Sequence, residues 1–313
     1  MSSTNAETPE VWTIESLLQW TQKFFTEKGI LSARLDAELL LAHALNTSRI
    51  DLYLRKEQPL TEEERTPFRE LVRERASGCP VAYLIGTQEF WSLPLHVRPG
   101  VLIPRPDTET LVECTLKRIR HWMQAHPGQV CRVAEWGTGS GAIVLALASE
   151  EEALEIHSAE ISPEAHAVAL HNLEALQAQL KTPAAQIRLS LGDALEQLPR
   201  EAPYDFLIAN PPYIPTQVVP TLQPEVARFE PRIALDGGED GLEVYRQILE
   251  HASGWLASEA ELLLEIGSDQ EDALSTLARR FPAWELAAVH PDLARHPRVV
   301  HFRKTAEPPL ESS

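Results

Sequence analysis

Four consecutive residues, Asn210-Pro211-Pro212-Tyr213, offer the clearest chemistry in this chain of 313 residues. They follow an apolar run at 204–209 that reads as a buried parallel strand. Neither proline can donate to a sheet ladder, and each fixes its own φ. The proline that follows Asn210 also pushes the asparagine out of the helical region. The stretch is therefore a stiff loop at the carboxyl end of a strand, where open α/β sheets bind their ligands. The Asn210 side chain offers one carbonyl acceptor and two amide hydrogens, and the Pro211 carbonyl is a second acceptor. Two fixed acceptors suit the two hydrogens of a planar –NH2 group, and Tyr213 offers an aromatic face to cover the same plane. The target is then a carboxamide or an amine on an aromatic base, a nitrogen whose lone pair is delocalised. Fixing its hydrogens favours the form whose lone pair faces an electrophile, and stabilises the positive charge that develops. The competing reading is a proline-rich surface turn.

A second constellation lies upstream. Gly137-Thr138-Gly139-Ser140-Gly141 stands between a predicted strand at 130–135 and a helix that begins at Ala142. Glycines there allow backbone angles and close approach that side chains forbid, in the setting of a nucleotide-type ligand. Glu160 ends the next strand, and an acid at that place commonly binds both hydroxyls of a ribose. Gly137-x-Gly139-x-x-Ala142 also fits a dinucleotide site, so a hydride-transfer enzyme competes. Such an enzyme has no evident use for the Asn-Pro-Pro-Tyr loop, whereas methyl transfer from S-adenosylmethionine does. That cofactor carries no phosphates, so it draws on the turn's close approach more than on an anion site.

These groups need a frame. Strands are predicted at 130–135, 154–160, 187–191, 204–209, 261–266, 284–290 and 299–303, with helices between them, among others at 241–258 and 270–281. Ser162 reads as an N-cap with Pro163 at the first helical position. The alternation predicts a doubly wound, mostly parallel sheet whose last two strands form a closing pair. Residues 13–77 read as a small helical bundle with Ile14, Leu17, Leu18, Phe24 and Phe25 on one face. Ser32 and Ser48 are candidate caps, and Thr61 with Glu64 makes a capping box. Pro67 predicts a kink or a late start in that last helix. The apolar stripes read as core. Between bundle and sheet, 81–86 and 89–97 read as the two arms of a β-hairpin. The expected domains are a helical docking domain at 1–78, a hairpin linker at 79–98 and an α/β domain at 99–313.

Composition narrows the classes. The net charge of −18 and pI of about 5.0 argue against tight nucleic-acid binding, which needs basic surface. Cys79, Cys114 and Cys131 are odd in number and far apart, which argues against a disulfide framework and a zinc site. No apolar stretch reaches membrane-spanning length, and the polar first ten residues lack the pattern of a signal peptide. A cytoplasmic location is the expectation, with the tail at 306–313 disordered.

Several stretches together resemble one family. They are Gly137 to Gly141, Asn210-Pro211-Pro212-Tyr213, Phe90-Trp91-Ser92-Leu93-Pro94-Leu95, the run from Leu102 to Glu109, and the run from Phe229 to Leu242. The chain is similar, over nearly its whole length, to the bacterial peptide chain release factor N5-glutamine methyltransferases, the HemK/PrmC family. The last of these runs is the most specific. The resemblance implies a Rossmann-like class I methyltransferase with a seven-stranded, mostly parallel sheet and a five-helix-type N-terminal domain. It implies methyl transfer from S-adenosyl-L-methionine to the side-chain amide of the glutamine in the release factors' Gly-Gly-Gln tripeptide. Carried over, Gly137, Thr138, Gly139, Ser140 and Gly141 would line the methionine part of the cofactor. Glu160 would take the ribose, with Asp193 and Ala194 near the adenine. Asn210 would touch both ligands, and Pro211, Pro212 and Tyr213 would complete the substrate pocket. Asn210, Pro211 and Tyr213 are the expected catalytic groups, and no metal is implied. Pro104 and Arg105 would lie near the cofactor's mouth. The chain departs from the family at Glu135-Trp136, where Asp-Leu is usual, at Glu160, where Asp is usual, and at Ala194, where an aromatic is common.

Release factors are the expected partners, with no membrane, no direct nucleic-acid contact and a monomeric state. Two alternatives stay open: an adenine amine methyltransferase acting on nucleic acid, and a cofactor-binding module without catalysis. His157, His166, His171 and His251 read as packing or surface residues. Asp236 and Asp240 read as parts of a shaped loop near the substrate entrance. Glu265, at a strand end, reads equally as a group that orients the site or as a surface acid.

Overall fold

The computed structural model describes residues 11–200 and 203–305, the side chains of 194 and 195 excepted. The expectations for the first ten residues and for 306–313 lie outside the described residues. The chain forms two compact units, one running to Gly86 and taking in Pro224–Phe229, the other holding Thr87–Gln223 and the chain from Glu230.

The first unit contains helices α1 (Ile14–Glu27), α2 (Ala33–Ala44), α3 (Arg49–Leu54), α4 (Glu62–Ala76) and α5 (Val81–Ile85). Capping boxes at Thr13, Ser48 and Thr61 satisfy the free amides of α1, α3 and α4. Ser32 stands at the start of α2 but makes no side-chain cap. Ile14, Phe25, Leu40, Leu41, Leu52 and Phe68 close the core. Helix α4 begins at Glu62 and runs through Pro67, so the late start does not occur. The capping box fixes the first turn upstream of the proline, which is enough to nucleate the helix. The apolar stripes do not all turn inward: Trp12, Trp20 and Phe24 border an open cleft with Arg65 and Arg69.

The hairpin reading needs correction. Residues 81–85 form α5, and only β1 (Thr87–Phe90) and β2 (Leu93–His96) pair. Pro80 sets the helix start, and Gly86, with φ of 73°, ends it in the left-handed region. Nor is the hairpin a free-standing linker. Phe90, Leu93 and Leu95 are buried in the same cluster as Leu111, Val133 and Leu145 of the second unit.

The second unit is a seven-stranded sheet flanked by helices. Its strands are β3 (Cys131–Trp136), β4 (Leu154–Glu160), β5 (Ile187–Leu191), β6 (Tyr204–Ala209), β7 (Leu256–Glu265), β8 (Trp284–Pro291) and β9 (Pro297–Lys304). Their order is β5-β4-β3-β6-β7-β9-β8. The first five are parallel, and β9 pairs antiparallel with both β7 and β8. The helix predicted to run to 258 stops earlier: Glu243–His251 is helical, a short 3-10 turn follows, and β7 starts at Leu256. Helices α6 (Glu109–Ala125), α7 (Ala142–Glu150) and α8 (Pro163–Leu176) lie between strands or before them, and Ser162 caps α8 ahead of Pro163.

The order of strands makes one place special. The chain steps outward from β3 to β5, then returns to lay β6 on the other side of β3. Trp136 pairs with Ala209 there, so Gly137 and Asn210 are the next residues on adjacent strands. This is the topological switch point, where the crevice of an open sheet forms. Leu207, Ile208 and Ala209 are fully buried between two parallel neighbours. Burying a leucine or isoleucine contributes roughly 1.5–3 kcal/mol, which anchors the strand that delivers Asn210.

Candidate active site

A crevice of about 290 Å³ opens at the switch point. It brings together Gly137, Gly139, Glu160, Asp193, Asn210, Pro211 and Pro212 of the expected set. Thr138, Ser140, Gly141 and Tyr213 do not line it. The side chain of Ala194 lies outside the described residues. Trp136, Val101, Leu102 and Ile161 supply apolar walls, and Ile233, Ala234 and Asp236 of the loop after Glu230 close one side.

Each part is held by identifiable bonds. The amides of Gly137 and Thr138 donate to the Ala159 carbonyl, at 3.0 and 3.2 Å. Asn172 donates to the Ser140 carbonyl at 2.9 Å. Glu160 accepts from the Gly139 amide through Oε2 and from the Ser162 amide through Oε1, both at 2.8 Å. Its longer side chain thus bends back over the turn, and each carboxylate oxygen keeps a lone pair. The Gly192 amide donates to the Glu160 carbonyl at 2.8 Å, which sets Asp193 at the crevice rim. Asn210 donates from Nδ2 to the Thr108 hydroxyl at 3.1 Å.

Tyr213 departs from the sequence reading. Its ring packs against the second core cluster instead of facing the crevice, and its carbonyl accepts from Gln270 at 3.0 Å. Burial pushes its hydroxyl up to about 12. Two acids are buried in the sheet. Glu265 is 1% exposed, which rules out the surface role. Glu135 is equally buried; it accepts from Ser158 at 2.6 Å through Oε2, and among the described residues Oε1 has no partner. No single-sequence signal distinguishes either acid from a solvated one, since the neighbours that bury them come from distant strands. His157 is buried and joined through Nδ1 to the Tyr204 hydroxyl at 2.7 Å, a packing role. Among the described residues no cluster could hold a metal, and no helix is long and apolar enough to cross a membrane.

Burial raises the Glu135 carboxyl to about 8, against the pull of Ser158. Between the ordinary carboxyl range and that value, the folded chain holds a proton that the unfolded chain has lost. Stability therefore falls as pH rises through this window. Glu135→Gln removes that slope. Its stability relative to wild type is expected to improve, on the order of a few kcal/mol, between about pH 5.5 and about pH 8.5. Urea unfolding of both proteins at the two pH values measures this, and a gap that does not change with pH contradicts it.

The crevice is suited to a cofactor of a particular kind. A Cβ built on Gly137 or Gly139 would meet no protein atom within 4 Å, so both face space that a ligand can use. Among the described residues the lining carries the acids Glu160, Asp193 and Asp236 and no lysine, arginine or histidine. Such a wall attracts cations and hydroxyls and repels phosphates.

The fold and this crevice define a methyltransferase. The family model of the methyltransferase small domain matches residues 119–223, and that of the PrmC N-terminal domain matches 16–86. The chain is 41% identical to the release factor glutamine methyltransferase of Geobacter sulfurreducens, over 86% of its own length and 89% of the relative. It is 36% identical to that of Rhodopirellula baltica, over 97% of this chain and 100% of the relative. With that of Moorella thermoacetica it shares 43% over 86% of this chain and 91% of the relative. The chain belongs to the release factor glutamine methyltransferase family.

Proposed function

We propose that this enzyme transfers a methyl group from S-adenosylmethionine to the side-chain amide nitrogen of the glutamine in the Gly-Gly-Gln motif of peptide chain release factors. The observation that carries this reading is the register of β3 and β6. It sets a rigid asparagine with a free carbonyl beside a cation-favouring crevice. Gly137 and Gly139 leave room for the cofactor, Glu160 and Asp193 offer acceptors for its hydroxyls and amine, and Trp136, Val101, Leu102 and Ile161 supply apolar contact. When bound, S-adenosylmethionine supplies a methyl carbon on a positively charged sulfur. Asn210 Oδ1 and the Pro211 carbonyl accept the two hydrogens of the glutamine amide. Held this way, the nitrogen lone pair turns from its own carbonyl toward the electrophile. The same two acceptors stabilise the charge that develops on nitrogen. No residue need remove a proton first, because the methylated, cationic amide is strongly acidic and loses its proton to solvent. The net charge of −18, with no basic side chain among the described residues that line the crevice, disfavours nucleic acid as substrate.

Labelled S-adenosylmethionine incubated with the purified protein and unmethylated release factor tests the reading. One methyl per release factor is expected, and none when the acceptor glutamine is replaced by alanine. Label that enters only DNA or RNA, or cofactor binding with no transfer to any of the three, would overturn it.

A further inference from the structure

The geometry points to Thr108 and Glu265 as a relay that sets which end of the Asn210 amide faces the crevice, so that both are positioning residues for methyl transfer. This rests on the proposed role of Asn210 as the acceptor for the substrate amide.

A primary amide has two ends of nearly equal shape and opposite function. Only Oδ1 can hold the hydrogens of another amide; Nδ2 in its place would repel them. Something must choose between the two orientations. Asn210 Nδ2 donates to Thr108 Oγ1 at 3.1 Å, and among the described residues Oδ1 makes no hydrogen bond. Thr108, 4% exposed, ends the turn Pro106–Thr108 just before α6. While its oxygen accepts from Asn210, its own proton needs an acceptor. The sheet provides one. Ala209 pairs with Leu264, so Glu265 is the neighbour of Asn210 on the adjacent strand. The Thr108 hydroxyl and the Asn210 amide both lie near enough to the Glu265 carboxylate to pull its pKa down, and among the described residues its buried Oε2 has no hydrogen-bond partner.

A carboxylate only accepts. When Glu265 is ionised, the Thr108 proton turns toward it, the Thr108 oxygen is left for Nδ2, and Oδ1 faces the crevice. When Glu265 is protonated, its hydroxyl can donate to Thr108, whose own proton is then free to bond Oδ1. The amide can flip, and a donor faces the substrate. The charge on one buried acid thus selects the working orientation.

The groups around Glu265 set where the switch falls. Burial raises its carboxyl to about 7, the Thr108 hydroxyl and the Arg298 charge oppose the rise, and the Asp107 charge adds to it. Tyr245 donates to the Glu265 backbone carbonyl at 2.7 Å, and Tyr213 lies close by. Burial holds both tyrosine hydroxyls protonated, Tyr213 up to about 12 and Tyr245 well above its ordinary value. Arg298 stays charged, paired with Asp107 at 3.1 Å and Asp292 at 3.2 Å. Glu265 is therefore the group in this cluster whose charge changes near neutral pH.

The full-length protein with unmethylated release factor provides the test. Thr108→Val keeps the shape and loses the hydroxyl; kcat should fall roughly 10- to 100-fold, the scale of a misplaced reacting group. Affinity for S-adenosylmethionine should hold, and Thr108→Ser should restore most of the rate. The kcat of wild type should rise with pH through about 7, and that of Glu265→Gln should be flat over the same range. A second readout needs no turnover. The Asn210 side-chain amide nitrogen resonance of the cofactor-free protein should shift with the same midpoint, and should not in Glu265→Gln. Wild-type rate in Thr108→Val, an unchanged pH profile in Glu265→Gln, or an amide resonance indifferent to pH would each overturn the relay. Lack of any wild-type turnover would instead count against the acceptor role of Asn210, and the amide resonance would still decide the relay.

Discussion

Asn210→Ala should lower kcat by roughly 100- to 1,000-fold, the loss seen when one preorganised group facing transition-state charge is removed. The backbone of the loop would not collapse with it. Pro211 and Pro212 fix two consecutive φ angles, and Gly137 to Glu160 are held by their own bonds to β4. What disappears is Oδ1, one of the two acceptors for the substrate amide, and with it the choice of which lone pair faces the methyl carbon. Because the nitrogen gains its positive charge only during transfer, the loss should appear in kcat and in kcat/KM alike. Cofactor affinity should change by no more than a few-fold, since the glycine turn and Glu160 are intact. Single-turnover kinetics with labelled methyl, together with calorimetric titration of the cofactor, separate the two effects. A variant that keeps more than about a tenth of the wild-type rate would remove Asn210 from the centre of the mechanism.

Much of this site is legible in the amino-acid sequence, and the reason is local. The limits of strands β4, β5 and β6 match the predicted ones, and β6 ends in the apolar run Phe206-Leu207-Ile208-Ala209 just before the prolines. Proline after Asn210, and glycine at 137, 139 and 141, constrain the backbone by covalent geometry alone. The features that the sequence hides depend on partners far away in the chain. Glu265 is an ordinary acid at a strand end until β9 pairs with β7 and the turn at Thr108 comes over it. Thr108 attracts no notice in the sequence, because a threonine before a helix is first of all a cap; here it makes no cap bond and serves Asn210 instead. Tyr213 reads as a cover for the substrate plane, as any exposed aromatic could be. Its ring is committed to the core, and its contribution to the loop is a carbonyl bound by Gln270. The run 81–85 is apolar and short, so periodicity cannot tell a strand from one turn of helix. Pro80 before it and Gly86 after it are the signals that favour the helix.

The same dependence on distant partners makes Gly237→Ala the second large effect. The loop from Pro231 to Gly241 is not merely near the Asn-Pro-Pro-Tyr segment; it is packed against its backbone. A Cβ on Gly237 would lie 2.7 Å from the Pro212 carbonyl oxygen, 2.8 Å from Tyr213 Cα and 2.9 Å from the Tyr213 carbonyl carbon. All three atoms belong to the main chain, so no side chain can swing aside. The φ of Gly237 lies outside the left-handed region, so alanine itself is unstrained there and the contact alone decides the outcome. Retreat of the glycine loop is opposed by the Gly237 amide bonded to the Ile214 carbonyl at 2.8 Å, and by the Ile214 amide bonded to the Leu235 carbonyl at 3.0 Å. The methyl group must therefore displace Pro212 and Tyr213, and with them the Pro211 carbonyl and Asn210. A shift of about 1 Å in a reacting group costs on the order of 100-fold in rate. The variant should lose that much in kcat and keep its affinity for the cofactor, whose turn on β3 and β4 is untouched. Its melting temperature should drop by a few degrees, as expected for about 1 kcal/mol in a domain of this size. A Gly237→Ala protein with wild-type turnover would mean that the loop gives way instead of the catalytic segment, and that the asparagine is not held from this side.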